Sequence, residues 1–123
     1  MKGGDVMLNQ SILVGRIVRD PEIKKSENEK SFTNVTIAVP RSYKNADGEY
    51  DTDFIDCIVW GGVAENMAEY CKKGDLVGIK GRIETWEEET EQGKNKKATI
   101  VVADKITYLA QAKEKQSEEE MDM

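Results

Sequence analysis

The chain has 123 residues, of which 34% are charged and 38% hydrophobic, and its formal net charge is −6. This length suits one domain with one core, and no stretch approaches the roughly 20 apolar residues of a membrane-spanning helix. Histidine is absent and the two cysteines form no CxxC pair, so we expect no metal site, no cofactor and two reduced structural thiols. The composition predicts a cytoplasmic protein without a membrane partner.

Residues 1–6 show no structural pattern and precede a second methionine, Met7. Codons for Lys-Gly-Gly at residues 2–4 can spell a purine-rich ribosome-binding sequence, so we expect translation to start at Met7. A disordered N-terminal extension is the alternative. Residues 11–18 and 31–39 then predict two strands around a polar loop, with Pro40 ending the second strand. Residues 41–52 are rich in turn residues and predict a flap-like connection.

The stretch at residues 53–62, D-F-I-D-C-I-V-W-G-G, predicts a central strand because β-branched and aromatic residues fill it and a glycine pair closes it. Successive side chains of a strand point to opposite faces. Ile55, Cys57 and Val59 therefore face the core. The other face carries Phe54, Asp56, Ile58 and Trp60, and we expect it to be at least partly wet because it includes a carboxylate.

After residue 62 the apolar period becomes helical, which predicts one helix of about two to three turns ending near Lys72-Lys73-Gly74. Residues 76–86, and then residues 98–103 with Ile106, return to strand patterns on either side of a Gln92-Gly93 turn. The predicted fold class is all-β: a five-stranded OB-fold barrel with one short helix between strands 3 and 4.

The negative charge is concentrated in two stretches. Residues 113–123 hold two lysines against five carboxylates, and residues 84–91 hold five glutamates. The remaining surface is near neutral or mildly basic, so its cations can form a patch that attracts a polyanion. These cations are Arg16, Arg19, Lys24, Lys25, Arg41, Lys44, Lys72, Lys73, Lys80 and Arg82.

Four linked motifs resemble those of bacterial and phage single-stranded DNA-binding proteins. They are I-L-V-G-R-I-V-R-D-P-E at residues 12–22, D-F-I-D-C-I-V-W-G at 53–61, A-E-N-M-A-E-Y-C-K-K-G-D at 64–75 and G-R-I-E-T at 81–85. Their order and spacing hold from about residue 8 to residue 109. The resemblance implies a homotetrameric OB-fold protein that binds single-stranded DNA without much sequence preference in replication, recombination and repair, and that is not an enzyme.

By position, the family's base-stacking rings fall on Tyr43, Phe54 and Trp60, and Trp86 is a further, slightly displaced candidate. Rings stack on any base, while lysine and arginine follow the phosphates. The alternative for Phe54 and Trp60 is that they are core rings, and for the hairpin around Trp86 that it is a solvated charge run. The phosphate-binding candidates are Arg16, Arg41, Lys44, Lys72, Lys73, Lys80 and Arg82.

The chain also departs from the family. Asp56 replaces a residue that is usually polar or basic, and this change should weaken phosphate contact locally. The family's long linker and Pro-Phe end are missing from the tail, which favours a phage or mobile-element version and leaves recruitment of replication or repair proteins open. We divide the chain into residues 1–6, an OB-fold domain at 7–110 and an acidic disordered tail at 111–123.

Two other function classes fit parts of the pattern. In a protein-interaction or primosome-type scaffold, the rings would form an interface rather than a DNA site. In a nuclease, the hairpin carboxylates would hold a divalent metal. Consecutive Glu87, Glu88 and Glu89 alternate around a strand instead of converging on one ion, and no basic catalytic partner is evident, which argues against the nuclease.

The acidic tail yields a first prediction. A tethered polyanion competes with DNA phosphates for the cations of the domain at high effective concentration, and salt screens this competition. Deleting residues 113–123 should therefore tighten binding of a single-stranded oligonucleotide at low salt, with a gain that shrinks as salt rises. A salt titration of full-length and truncated proteins measures the effect, and superimposed binding curves would contradict it.

Overall fold

A computed structural model describes residues 7–112. The predicted extension at residues 1–6 and residues 113–123 of the predicted tail lie outside the described residues. The described chain forms six strands and one helix: β1 Ser11–Ile17, β2 Lys24–Lys25, β3 Ser31–Lys44, β4 Tyr50–Trp60, α1 Gly61–Tyr70, β5 Leu76–Glu89 and β6 Asn95–Ala110. Because β2 has only two residues, five long strands carry the fold.

The five long strands close into a barrel. The strand order is β1-β5-β6-β4-β3-β2, and β1 also pairs with β3 through Arg16 opposite Ala38 and Ile17 opposite Ile37. All pairings are antiparallel except that between β4 and β6, which is parallel. This closure and the helix after the third long strand confirm the predicted OB-fold barrel.

The core lies inside the barrel and under helix α1. Strand side chains alternate between it and the surface, and α1 adds Ala64 and Met67, both fully buried. The two cysteines, Cys57 and Cys71, are buried free thiols. Burial raises the pKa of Cys57 to about 12 and that of Cys71 to about 11, so both stay protonated at neutral pH.

The prediction that Pro40 ends the second long strand is wrong. Strand β3 continues to Lys44, with Pro40 opposite Thr52 on β4, and the register shifts before pairing resumes between Lys44 and Tyr50. Proline has no backbone N–H, so it disturbs the ladder, but it does not prevent the two strands from continuing into a hairpin. The connection predicted as a flap therefore consists largely of the paired ends of β3 and β4.

The sequence Lys72-Lys73-Gly74 forms a turn rather than the end of the helix. Helix α1 ends at Tyr70, and Asp75, which is buried, accepts hydrogen bonds from the backbone N–H of Lys72 at 2.9 Å and of Ala112 at 2.7 Å. The Lys73 N–H donates to the Asp20 carboxylate at 2.7 Å. These bonds fix the lysine turn beside the loop after β1.

Gly81 and Gly62 give a matched test of the packing. On β5, a Cβ at Gly81 would overlap the carbonyl oxygen of Val102, whereas a Cβ at Gly62 on α1 meets nothing within 4 Å. We expect Gly81→Ala to lower the free energy of unfolding by roughly 1–3 kcal/mol, because backbone must shift. Gly62→Ala should leave it unchanged or raise it by up to about 1 kcal/mol. Denaturant unfolding measures both, and equal midpoints would contradict the packing argument.

Candidate nucleic-acid interface

Two aromatic rings stand on the outward face of strand β4. Register pairs Trp60 with Phe32 and Phe54 with Ala38 on β3, and directly opposite residues share a face. Phe54 is 67% exposed and Trp60 is 38% exposed, so neither is a core ring. Both therefore present ring surface to solvent, as the alternation of the sequence predicts.

Trp60 is partly held by a neighbouring ring. Its centroid lies 5.1 Å from that of Phe32 at an interplanar angle of 38°. It also lines a pocket of about 470 Å³ with residues of the loop that precedes β3, among them Asn28 and Lys30. The contact with Phe32 limits the motion of the indole while leaving part of it accessible to a ligand.

Ile58 is the one buried residue among the four predicted to share this face. Although it alternates with the exposed Phe54 and Trp60, it is only 3% exposed. The reason is its place in the sheet, where β3 supplies Asn34 on one side and β6 supplies Val102 on the other. The face is therefore exposed at Phe54, Asp56 and Trp60 and closed at Ile58, which agrees with the expectation of a partly wet face.

The β3–β4 hairpin carries further exposed rings, and its turn is well bonded. Tyr43 and Tyr50 are both exposed, and the Lys44 ammonium lies 5.8 Å from the Tyr50 ring centroid. The Asn45 side-chain oxygen accepts from the backbone N–H groups of Asp47 and Glu49. Tyr50 was not among the candidate rings from the sequence. Its position just after a strong turn signal predicts that it pairs with the end of the preceding strand, and it does so with Lys44.

Arg41 is engaged within the same hairpin. Its guanidinium donates to both oxygens of Asp53 at 3.0–3.3 Å, and Asp51 lies 3.8 Å away. The hydrogen bonds from Arg41 lower the pKa of Asp53, and the same bonds raise the pKa of Arg41. This predicted phosphate ligand thus already has carboxylate partners, which a phosphate would have to replace or join.

Trp86 lies on the outward face of β5 at the end of a chain of polar contacts. Its indole N–H donates to Glu84 at 2.9 Å, and Arg82 donates to the other Glu84 oxygen at 2.8 Å and to Asp104 at 3.0 Å. The hydrogen bond from Trp86 and, to a lesser extent, that from Arg82 lower the pKa of Glu84. The indole is therefore oriented by ionised Glu84 while remaining 37% exposed.

The acidic strand around Trp86 is matched by a basic one. Glu87 lies opposite Lys97, and Glu88 lies opposite Lys96. Cross-strand pairs of opposite charge are favourable, and they offset much of the repulsion among the glutamates. The predicted charge run is thus an exposed hairpin in which acids of β5 face lysines of β6.

A groove of about 900 Å³ brings distant parts of the chain together. Trp86 lines it, as do the polar side chains of Asn34, Thr36 and Asp56 on β3 and β4. Cations and carboxylates also line this groove: Arg19, Lys24 and Lys73, with Asp20, Glu22 and Glu88. The groove therefore combines a ring, hydrogen-bonding groups and mixed charge.

The groove includes only part of the predicted site. Of the candidate phosphate ligands it takes in Lys73, whereas Lys44, Lys72, Lys80 and Arg82 do not line it. Arg16 lies on the outward face opposite Ala38 and donates to the Gly74 carbonyl at 2.9 Å. Arg19 and Lys24 were noted only as surface cations, and no local sequence signal tied them to Trp86.

Within residues 7–112, no group of three or more acidic, cysteine or histidine side chains is arranged to hold a metal ion. The helix α1 has ten residues, and no helix in the described part of the chain is long and apolar enough to cross a membrane.

The chain is similar in sequence to known single-stranded DNA-binding proteins. Residues 8–109 match the model of the single-strand binding protein family. The chain is 45% identical over 103 residues to "Single-stranded DNA-binding protein B" of Bacillus subtilis, an alignment that covers 84% of this chain and 91% of that protein. It is also 45% identical over 103 residues to the "Single-stranded DNA-binding protein" of Oceanobacillus iheyensis and to "Single-stranded DNA-binding protein 1" of Lactococcus lactis, again over 84% of this chain.

The relatives differ in length. The aligned segment spans 64% of the Oceanobacillus iheyensis protein and 69% of the Lactococcus lactis protein. The matched residues include β1 to β5, helix α1 and β6 as far as Leu109, and hence the ring and the cations of the groove. The similarity therefore covers the barrel itself.

The bond between Glu84 and Trp86 predicts a pH-dependent signal. Because the chain has two tryptophans, Trp60→Phe leaves Trp86 as the sole indole. A lowered pKa means that the bond is intact at neutral pH and is lost as pH falls through the folded-state pKa, below the ordinary value of about 4.3. Trp86 fluorescence should change in that acidic range, and circular dichroism should show that the fold persists. Adding Glu84→Gln should abolish the transition; an unchanged titration would contradict the assignment.

Proposed function

Because the chain belongs to the single-strand binding protein family, we propose that it binds and protects single-stranded DNA during replication, recombination and repair. The binding uses groups that every nucleotide offers, namely base faces and phosphates. The observation that carries the proposal is the exposure of Phe54 and Trp60 on one face of the barrel, beside the groove that holds Trp86.

Stacking accounts for affinity without strong base selection. Each base has a π face, so exposed rings bind all sequences, and the rings at Tyr43, Phe54, Trp60 and Trp86 offer four such surfaces. Phe32 and Glu84 restrain Trp60 and Trp86 respectively, which lowers the entropy lost when a base stacks on them.

Cations at the groove and around it supply the phosphate contacts. Arg19, Lys24 and Lys73 line the groove, and we assign the same role to Arg16, Lys44, Lys72 and Lys80 on the surrounding surface. Arg41 and Arg82 contribute only when phosphate competes with their carboxylate partners, so their share is smaller in the proposal. Binding must weaken with salt because phosphate contacts release counterions.

The proposal includes a homo-oligomer, with a homotetramer as the expected form. Strand β1 pairs with β5 along its length but with β3 only at Arg16 and Ile17, and Gly15 lies close to Ala38 of β3. Within residues 7–112, the other edge of β1 has no paired strand from Ser11 to Val14. Next to that edge, Ile12 is 73% exposed, and Leu8 and Val14 are also exposed. An open edge with apolar side chains favours pairing with another chain. Native mass spectrometry would give the number of subunits.

The proposal assigns the protein to the cytoplasm and gives it no catalytic role. Glu87 and Glu89 point to one side of β5 and Glu88 to the other, and Lys97 and Lys96 lie opposite two of them. This alternation gives the hairpin acids no shared ion position, so the metal-dependent nuclease has no support from their placement.

Removing the rings tests the proposed function. Phe54→Ala or Trp60→Ala should weaken binding of an oligo-dT at fixed salt by roughly 1–3 kcal/mol, the range typical of base stacking in this kind of protein. Thermal stability should fall little for Phe54→Ala, because most of that ring is exposed. Fluorescence titration or anisotropy of labelled DNA measures the affinity.

Tyr70→Ala is the matched control, since Tyr70 is an equally exposed ring on α1 that does not line the groove. Its DNA affinity should equal that of the parent. Unchanged affinity in both β4 variants would show that the ringed face is not the DNA site and would favour a protein-interaction role.

A further inference from the structure

A row of hydrogen-bonding side chains lies between the two exposed rings of strand β4. Asp56 shares the outward face with Phe54, two residues away or about 7 Å along the strand. Thr36 lies directly opposite Asp56 on β3, and Asn34 is the next outward residue of that strand. All three polar side chains line the groove that also holds Trp86. A nucleotide chain stacked on the rings must therefore pass over polar groups.

Asp56 is held in a defined position. The Thr36 hydroxyl donates to Asp56 Oδ1 at 2.8 Å, and the carboxylate is exposed to the groove. An ionised carboxylate accepts through about four lone-pair sites on two oxygens, so this bond leaves Oδ2 and part of Oδ1 able to accept. An acceptor-only group prefers a ligand that presents donors.

The four bases differ in what they offer to a carboxylate. On its Watson–Crick edge, guanine presents two adjacent donors, N1–H and N2–H, which match the two carboxylate oxygens. Thymine presents one N–H between two carbonyl oxygens, which repel the carboxylate. Adenine and cytosine each present one amino group beside a ring-nitrogen acceptor. A bidentate, charge-assisted pair is therefore available only to guanine.

We propose that Asp56, positioned by Thr36, forms a guanine-selective subsite in the groove next to Phe54. The inference rests on the proposed single-stranded DNA binding and adds a base preference at one position of an otherwise unselective path. Splayed bases of a single strand expose their Watson–Crick edges, which allows such a contact. Asp56 thus acts as a specificity-determining residue.

The charge of Asp56 also repels phosphates, and cations that line the groove offset this repulsion. Arg19, Lys24 and Lys73 line the same groove and attract the phosphates of the bound strand. With the backbone drawn to these cations and a base stacked on a ring, the base edge rather than the phosphate faces Asp56. A base that cannot present two adjacent donors would leave part of the carboxylate without a partner and would bring an acceptor close to it, which increases the discrimination.

The test compares three oligonucleotides that differ only at a few spaced positions. The first is oligo-dT, the second carries guanine at every fourth position, and the third carries hypoxanthine at those positions. Hypoxanthine lacks the N2 amino group and keeps N1–H, so it isolates the second donor, and the spacing prevents guanine quadruplexes. We expect the parent to bind the guanine oligonucleotide about fivefold or more tightly than either of the others.

Variants then assign the preference to Asp56. Asp56→Ala should bind all three oligonucleotides with equal affinity, and Thr36→Val should reduce the guanine preference because the carboxylate loses its positioning bond. Glu88→Ala is the matched control, since it removes another carboxylate of the groove and should keep the preference. Thermal melting confirms that each variant is folded.

The outcomes separate this inference from the proposed function. Equal parent affinities for the three oligonucleotides, with normal fluorescence quenching, would overturn the guanine subsite and leave DNA binding intact. Uniform tightening by Asp56→Ala with the guanine preference retained would also overturn it, because Asp56 would then only repel phosphate. Failure of the parent to bind any of the three would overturn the proposed function itself. The parent comparison depends on no variant, so it decides the question even if a variant does not fold.

Discussion

Strand β4 serves the core and the candidate interface at the same time, and the rest of the structure depends on this double role. Cys57 and Val59 point inward and are almost fully buried, while Phe54 and Trp60 point outward. The period-two alternation of a strand allows both, provided that neighbours hold the strand in one register. Strands β3 and β6 flank β4 and supply that constraint. A shift by one residue would bury the carboxylate of Asp56 and expose the core.

The net charge of −6 is compatible with DNA binding because of where the charges lie. Within the described barrel, carboxylates sit beside cations: Asp51 and Asp53 hold Arg41, while Glu84 and Asp104 hold Arg82. These exposed pairs contribute little to stability, but they orient the arginines and lower the local positive potential. Formal net charge therefore describes the proposed DNA-binding surface poorly, and the arrangement of charge around the groove describes it better.

In the proposed site, stacking and phosphate contact are assigned to different parts of the fold. Glu84 accepts a hydrogen bond from Trp86 and another from Arg82. Arg82 therefore serves mainly to position the indole of Trp86 through Glu84. The cations at the groove come instead from the loop after β1, from β2 and from the turn after α1. The rings therefore lie on rigid strands, whereas the groove cations lie mostly on connections, where side chains can follow an extended nucleic acid strand.

The sequence by itself determined the order of the strands, the single helix and the outward placement of Phe54 and Trp60. These features depend on local periodicity, which a strand or helix expresses wherever it is placed. Only the tertiary structure decided that Ile58 is buried, because its burial comes from strands on both sides. It also decided that β3 continues past Pro40, since the opposite strand keeps pairing there. Barrel closure alone brings Arg19, Asp56 and Trp86 to one groove, because contacts between residues 30 or more positions apart leave no local pattern in the chain.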